Sequence, residues 1–160
     1  MSNSTKEANP VLAIVGAGSL VWGRSIAVDL MSNPDLATAE IRLIDVLPDR
    51  LALVHEWFEF AKRAKGWTHR ITAHTDLREG LRGFSGCLTA ISIRGDRLWR
   101  YNATHPQLDG VFQPVGGIKG PGGAVRAPRH APALKLIATT LAEDGATMKI
   151  YWSNLSPWTH

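Results

Sequence analysis

Gly16, Gly18, Ser19 and Asp45 are the residues whose types and spacing carry chemistry. Gly16-Ala17-Gly18-Ser19 follows an apolar run, Val11 to Val15, and opens a helical pattern. A glycine at the first position permits a tight turn, and one at the second lets the backbone approach a pyrophosphate. The N-terminus of the following helix offers free N–H groups and a favourable dipole. Asp45 closes the second apolar run, Ile41 to Ile44. A carboxylate there accepts hydrogen bonds from an adenosine ribose and repels a 2′-phosphate, which marks NAD over NADP. The usual third glycine position holds Val21, and the next glycine is Gly23. A plain strand-to-helix turn, with glycines for backbone freedom, is the other reading of the same residues.

A second group lies further along the chain. Residues 110–123 contain six glycines and two prolines, which predicts an irregular loop. Such a loop either lets backbone approach a ligand or serves as a flexible connection. Arg126 and Arg129, three apart on the next helical pattern, either share an anion-binding face or decorate the surface. Arg94 stands at the end of a strand, where open α/β sheets place their ligand crevice, and is a candidate substrate-binding residue. Asn154 is a candidate polar contact to substrate or nicotinamide, or a turn asparagine before Pro157. The six histidines, His55, His69, His74, His105, His130 and His160, have no metal-type spacing and are expected at the surface. No catalytic residue and no metal ligand is assigned.

The elements that must position these groups alternate between strand and helix. Val11–Val15 and Ile41–Ile44 predict buried strands. A helix is expected from Ser19 to Met31, ending before Asn33-Pro34. Another starts at Pro48, carries Leu51, Val54, Trp57, Phe58 and Ala61, and stops at Gly66. Arg70–Ala73 is a third strand, Asp76–Leu81 a short helix with Asp76 as N-cap, and Cys87–Ile93 a fourth strand. A helix covers part of Asp96–Thr104. Ala124–Glu143 is a longer helix with Pro128 and Pro132 in its early part, and Met148–Trp152 a last strand. This order predicts an α/β fold, Rossmann-like, with a mostly parallel sheet and helices on both faces. Residues 1–9 are a flexible lead-in, and 10–160 are expected to form one NAD-binding domain.

Composition narrows the classes. The chain has 160 residues, 44% hydrophobic and 20% charged, which suits a folded core rather than disorder. Its 18 basic and 14 acidic residues give a net charge of +4 without a dense basic stripe, so no nucleic-acid partner is expected. No apolar run reaches the roughly 18–20 residues of a membrane-spanning helix, and the polar N-terminus lacks the apolar stretch of a secretory signal. With one cysteine, Cys87, no disulfide framework or cysteine zinc cluster forms within the chain. The expected location is cytoplasmic.

Five segments in order resemble one family. They are Gly-Ala-Gly-Ser-Leu-Val-Trp-Gly (16–23), Glu-Ile-Arg-Leu-Ile-Asp (40–45), Ala-Ile-Ser-Ile-Arg-Gly (90–95), Asp-Gly-Val-Phe-Gln-Pro-Val-Gly (109–116) and Gly-Pro-Gly-Gly-Ala-Val-Arg-Ala (120–127). Together they resemble the N-terminal, NAD-binding part of glycoside hydrolase family 4. That family includes α-galactosidases, 6-phospho-glucosidases and α-galacturonidases. The most specific part is Gly-Val-Phe-Gln…Gly-Pro-Gly-Gly, which ordinary dehydrogenases lack.

The resemblance implies NAD and a divalent metal, commonly Mn²⁺, acting on a small-molecule glycoside. The sugar is oxidised at C3, its C2 proton removed and the aglycone eliminated, a departure from the two-carboxylate scheme. Gly16, Gly18, Ser19 and Asp45 match the family's cofactor positions. Asn154 falls near its substrate-contacting asparagine, but its Asn-Pro pair is Ser156-Pro157 here. Its Gly-Asp-Thr is Gly116-Gly117-Ile118. Its metal ligands and tyrosine base would follow His160, so the catalytic and oligomerisation part is expected to be missing, this chain alone inactive, and the full-length protein a homo-oligomer. Trp99, Trp152 and Trp158 would belong to a surface left uncovered. The alternatives are a stand-alone nucleotide-binding regulatory module and a lactate- or malate-dehydrogenase-like fragment.

Overall fold

A computed structural model describes residues 9–19, 22–113 and 120–144. Four strands form one parallel sheet in the order β3-β2-β1-β4. They are β1 (Val11–Val15), β2 (Glu40–Ile44), β3 (Arg70–His74) and β4 (Gly86–Thr89). The helices are α1 (Trp22–Ser32), α2 (Pro48–Lys65), α3 (Leu77–Leu81), α4 (Gly95–Leu108) and α5 (Pro121–Glu143). A single 3₁₀ turn, Pro34–Leu36, follows α1, with the Asn33 side chain accepting from Asp35 N–H. The described residues group into two compact units: 9–91 with 140–144, and 92–113 with 120–139.

The first unit is an apolar sandwich. β1 is central, paired with β2 on one side and β4 on the other. That position explains an all-apolar strand, since both of its faces are covered. Side chains alternate along a strand. Ile14, Ile41 and Leu43 point to the face where Ala27 and Met31 of α1 and Leu51, Val54 and Phe58 of α2 pack. Phe58 is fully buried, a burial that stabilises by about 1.5–3 kcal/mol. α2 begins with Pro48 at its first turn and ends at Gly66, whose φ of 68° closes the helix in the left-handed conformation. Lys62, Arg63 and Lys65 in its last turn complement the helix dipole.

Arg42 and Ile44 lie on the opposite face, against α3. The Arg42 guanidinium donates to the carbonyls of Gly80 and Arg82. A Cβ on Gly80 would stand 2.6 Å from the Ile44 side chain, so helix and strand approach closely only because residue 80 is glycine. Helices therefore cover both faces of the sheet. Asp76 caps α3 by accepting from Glu79 N–H at 2.8 Å, as its residue type predicts. Residues 140–144 join this side through an Arg78–Glu143 ion pair and a 2.7 Å bond from Gly83 N–H to Asp144 Oδ2.

Several boundaries differ from the sequence expectations. α1 is described from Trp22 rather than Ser19. β4 ends at Thr89 rather than Ile93, because its partner β1 ends at Val15; the last ladder bond is Ala90 N–H to Val15 O, 2.7 Å. α4 runs through Leu108, past the expected Thr104. α5 starts at Pro121, so residues 121–123 are helix rather than irregular loop. Proline suits the first helical position, where no N–H is needed. Pro128 and Pro132 consequently lie well inside α5. The expected strand Met148–Trp152 lies outside the described residues.

Candidate functional site

The turn after β1 is built around two glycines that tolerate no side chain. Gly16 has φ 88°, and a Cβ there would stand 2.7 Å from the Ala90 carbonyl carbon and oxygen. Its N–H and that of Ala17 both donate to Ile44 O, at 2.8 and 3.1 Å. The turn thus crosses from the end of β1 to the end of β2. Gly18 N–H donates to Asp45 Oδ2 at 2.8 Å, and a Cβ on Gly18 would lie 2.8 Å from that oxygen. Asp45 Oδ1 accepts from Leu47 N–H at 3.0 Å. Each carboxylate oxygen accepts about two hydrogen bonds, so acceptor capacity remains on both.

Ser19 joins the turn to α1. Its Oγ accepts from Trp22 N–H at 3.2 Å and its carbonyl from Gly23 N–H at 3.0 Å, the spacing of a serine N-cap. Gly23 was the departure from the glycine pattern. A Cβ on Gly23 would lie 2.4 Å from Ala17 O. Gly23 therefore does what the third glycine of such turns does, letting the helix pack closely, from two positions further along. Gly16, Gly18, Ser19 and Asp45 are brought together as their spacing predicts.

Arg94 lies in the second unit. It is exposed, and its φ of 51° and ψ of 37° make it the one non-glycine residue with positive φ among the described residues. Its carbonyl accepts from Arg97 and Leu98 N–H and starts α4. Asn154 lies outside the described residues, as do Trp152 and Trp158. Trp99 is 45% exposed on α4.

The second unit holds a polar framework that sequence reasoning missed. Gln113 Nε2 donates to Asn102 O at 2.6 Å, and its Oε1 accepts from Gly122 N–H at 3.2 Å. A Cβ on Gly120, whose φ is 98°, would stand 2.6 Å from that Oε1. The Gln113 amide thus explains the glycine at 120 and ties α4 to the first turn of α5. Buried Asn102 accepts through Oδ1 from Arg129 at 3.1 Å, and Arg129 also donates to Val125 O. Arg129 Nε is buried without a partner. Arg129 is therefore a structural tie between α4 and α5 rather than surface decoration.

Two histidines are inside, contrary to the surface expectation. His69 is 3% exposed, with Nε2 2.9 Å from Leu36 O. His130 is 8% exposed; its Nε2 accepts from Ile93 N–H at 3.2 Å, so Nδ1 is the protonated nitrogen and donates to Arg126 O at 3.1 Å. Burial lowers its pKa from the usual 6.5, the Arg126 and Arg129 charges lower it further, and the bond to the Arg126 carbonyl opposes them. Burial pushes the Cys87 thiol up to about 11, so it is no thiolate nucleophile at neutral pH. Among the described residues, no cluster of three or more His, Cys, Asp or Glu can hold a metal ion.

Comparison with known proteins decides the family. The model of the family 4 glycosyl hydrolases matches residues 11–146. The chain belongs to glycosyl hydrolase family 4. An alpha-galactosidase of Rhizobium meliloti (strain 1021) is 28% identical over 123 residues, 77% of this chain and 25% of that protein. An alpha-glucosidase of Erwinia rhapontici is 31% identical over 134 residues, 82% of this chain and 29% of that protein. The chain thus spans between a quarter and a third of the length of these family 4 relatives. Solved structures show the same fold. The 6-phospho-beta glucosidase from Thermotoga maritima with manganese, NAD+ and glucose-6-phosphate superposes with a TM-score of 0.70 at 15% identity, over 84% of this chain and 32% of that one. A 6-phospho-alpha-glucosidase from gut microorganisms in complex with NAD and Mn2+ has a TM-score of 0.71 at 14% identity, over 84% of this chain and 31% of that one.

Proposed function

We propose that this family 4 chain is the NAD-binding part of a glycosidase that cleaves O-glycosidic bonds of a small-molecule glycoside by C3 oxidation and elimination. The observation that carries the reading is the Gly16–Gly18–Asp45 arrangement, with Gly18 N–H bonded to the Asp45 carboxylate at 2.8 Å. The residues present fit the dinucleotide: both glycines sit where a Cβ would collide with backbone or with Asp45, so the tight turn keeps its shape, and Asp45 retains acceptor capacity beside it. Ser19 starts α1, whose N-terminal end favours the pyrophosphate charge. Asp45 accepts from the adenosine ribose hydroxyls and disfavours a 2′-phosphate. The nicotinamide, when bound, supplies the hydride acceptor for the sugar's C3–H.

Arg94 is the proposed contact to an anionic group on the sugar. Residues 92–139 carry seven basic residues (Arg94, Arg97, Arg100, Lys119, Arg126, Arg129, Lys135) against two acidic (Asp96, Asp109). Their net charge of +5 exceeds the +4 of the whole chain. That excess favours a phosphorylated or uronic glycoside over a neutral one. Among the described residues, no group of three or more His, Cys, Asp or Glu fits a divalent metal. Spanning 25% and 29% of the length of the two relatives, this part alone is expected to bind nucleotide and hydrolyse nothing.

Titration with NAD+ and NADP+, beside hydrolysis assays with Mn²⁺ and reductant, tests this. Saturable NAD+ binding, weaker NADP+ binding and no turnover support it. Absence of NAD+ binding overturns the cofactor assignment, and turnover overturns the inactivity.

A further inference from the structure

The turn that carries Arg94 is held by a side chain from another helix. Arg94 is in the left-handed conformation, which is strained for a non-glycine residue, and such strain persists only where surrounding structure over-determines it. Two constraints act here. After Arg94, its carbonyl accepts the N–H groups of Arg97 at 3.2 Å and Leu98 at 2.9 Å, fixing the start of α4. Before Arg94, the Ile93 N–H is fixed by His130 Nε2 at 3.2 Å, and the same ring is anchored through Nδ1 to the Arg126 carbonyl at 3.1 Å. The ring thus spans from the backbone of α5 to the residue preceding Arg94. This backbone amide ends on an imidazole nitrogen directly beside the strained residue.

We infer that His130 is a positioning residue for Arg94: its neutral Nε2, by accepting the Ile93 N–H, holds the turn from which Arg94 meets the anionic group of the sugar. The inference rests on the proposed role of Arg94 and adds the device that sets its backbone. Only the Nδ1–H tautomer serves both bonds, because Nε2 must keep its lone pair free. Protonation places a hydrogen on Nε2 and turns it from acceptor to donor, facing another donor. The charged groups acting on the ring are Arg126 and Arg129 of α5, both cations. They oppose protonation and keep the acceptor in place at neutral pH. The presentation of Arg94 is therefore pH-dependent, intact while His130 is neutral and lost as it takes a proton.

The test uses the full 160-residue chain and reads the Ile93 amide by ¹H–¹⁵N NMR. In the unsubstituted chain that resonance should move as pH falls, with a midpoint below 6.5, in step with the His130 ring nitrogens. In His130→Gln, whose side-chain oxygen can still accept, the resonance should lose its pH dependence and keep its protection. In His130→Ala, amide exchange at Ile93 should quicken about tenfold, the loss of one hydrogen bond. Binding of glucose 6-phosphate in the presence of NAD+ should weaken in His130→Ala and in Arg94→Ala, and recover in His130→Gln, with glucose as the neutral control. An Ile93 amide that ignores both pH and His130→Ala overturns the positioning role. If instead Ile93 responds as expected but Arg94→Ala leaves glucose 6-phosphate binding unchanged, the role of Arg94 fails, and with it the functional purpose of the device. Should His130→Ala not fold, the pH titration of the unsubstituted chain and His130→Gln decide alone.

Discussion

The two compact units of this chain are held together by different forces. The sheet unit buries Ile14, Ile41, Leu43, Val54 and Phe58 at 0–1% exposure, an apolar core between β-strands and helices. In the α4–α5 unit, the buried side chains named among the described residues are Asn102, His130 and Ile137. There the ties are polar: Gln113 to Asn102 and Gly122, Arg129 to Asn102, His130 to Ile93. Apolar burial is non-directional and tolerant of detail. A buried hydrogen-bond framework is directional and costly when one partner is lost. The first unit is built to hold the central strand and its glycine turn in place. The second is built to set individual backbone groups.

Substitutions can break this contrast, and the largest effect belongs to the apolar unit. Phe58→Ala should cost about 3–5 kcal/mol in denaturant unfolding, transfer and cavity terms together. A loss below about 1 kcal/mol would mean that the sheet unit does not rest on this core. Gly16→Ala should destabilise by about 2–3 kcal/mol, because the left-handed φ and contact with the Ala90 backbone both oppose a Cβ. It should also remove NAD+ binding; a variant that binds normally would detach the turn from the cofactor.

The polar unit should respond more locally. Gln113→Ala leaves Gly122 N–H and Asn102 O without their partner and should cost about 1–2 kcal/mol. Hydrogen exchange should quicken in the first turn of α5 while the middle of α2 keeps its protection. The smallest effect concerns pH. The folded chain holds His130 below 6.5, so the unfolded chain binds the extra proton. The His130 contribution is fully present above pH 6.5 and is lost as pH falls toward the native value. Comparing unfolding of the unsubstituted chain and His130→Gln across pH 7 to 5 should show that slope only in the former.

The same contrast governs what the sequence made legible. Val11–Val15, Ile41–Ile44 and the Leu51–Ala61 spacing announce a buried parallel sheet because apolar periodicity is a local property. Asp45 and the Gly16–Gly18 turn were legible as a motif, and Asp76 as a cap. Gly23 was visible as the misplaced glycine, but its role depends on how α1 packs on the Ala17 carbonyl. Gln113, Asn102, Arg129 and His130 could not be found this way. Each is a polar residue whose partner is set by tertiary packing and not by local sequence pattern. His130 differs from a surface histidine through its burial and the Ile93 N–H it accepts. The helical start at Pro121 was hidden by its glycines; proline at the first turn and the Gln113 amide together outweigh their backbone freedom.

The most direct measurement is a residue-resolved ¹H–¹⁵N titration of the chain with NAD+. The account predicts saturable shifts centred on Gly16, Gly18, Ser19 and Asp45, reduced in Asp45→Asn, with NADP+ producing weaker changes at the same amides. Shifts that do not saturate, or that leave the Gly16–Ser19 turn and Asp45 unmoved while other residues respond, would contradict it.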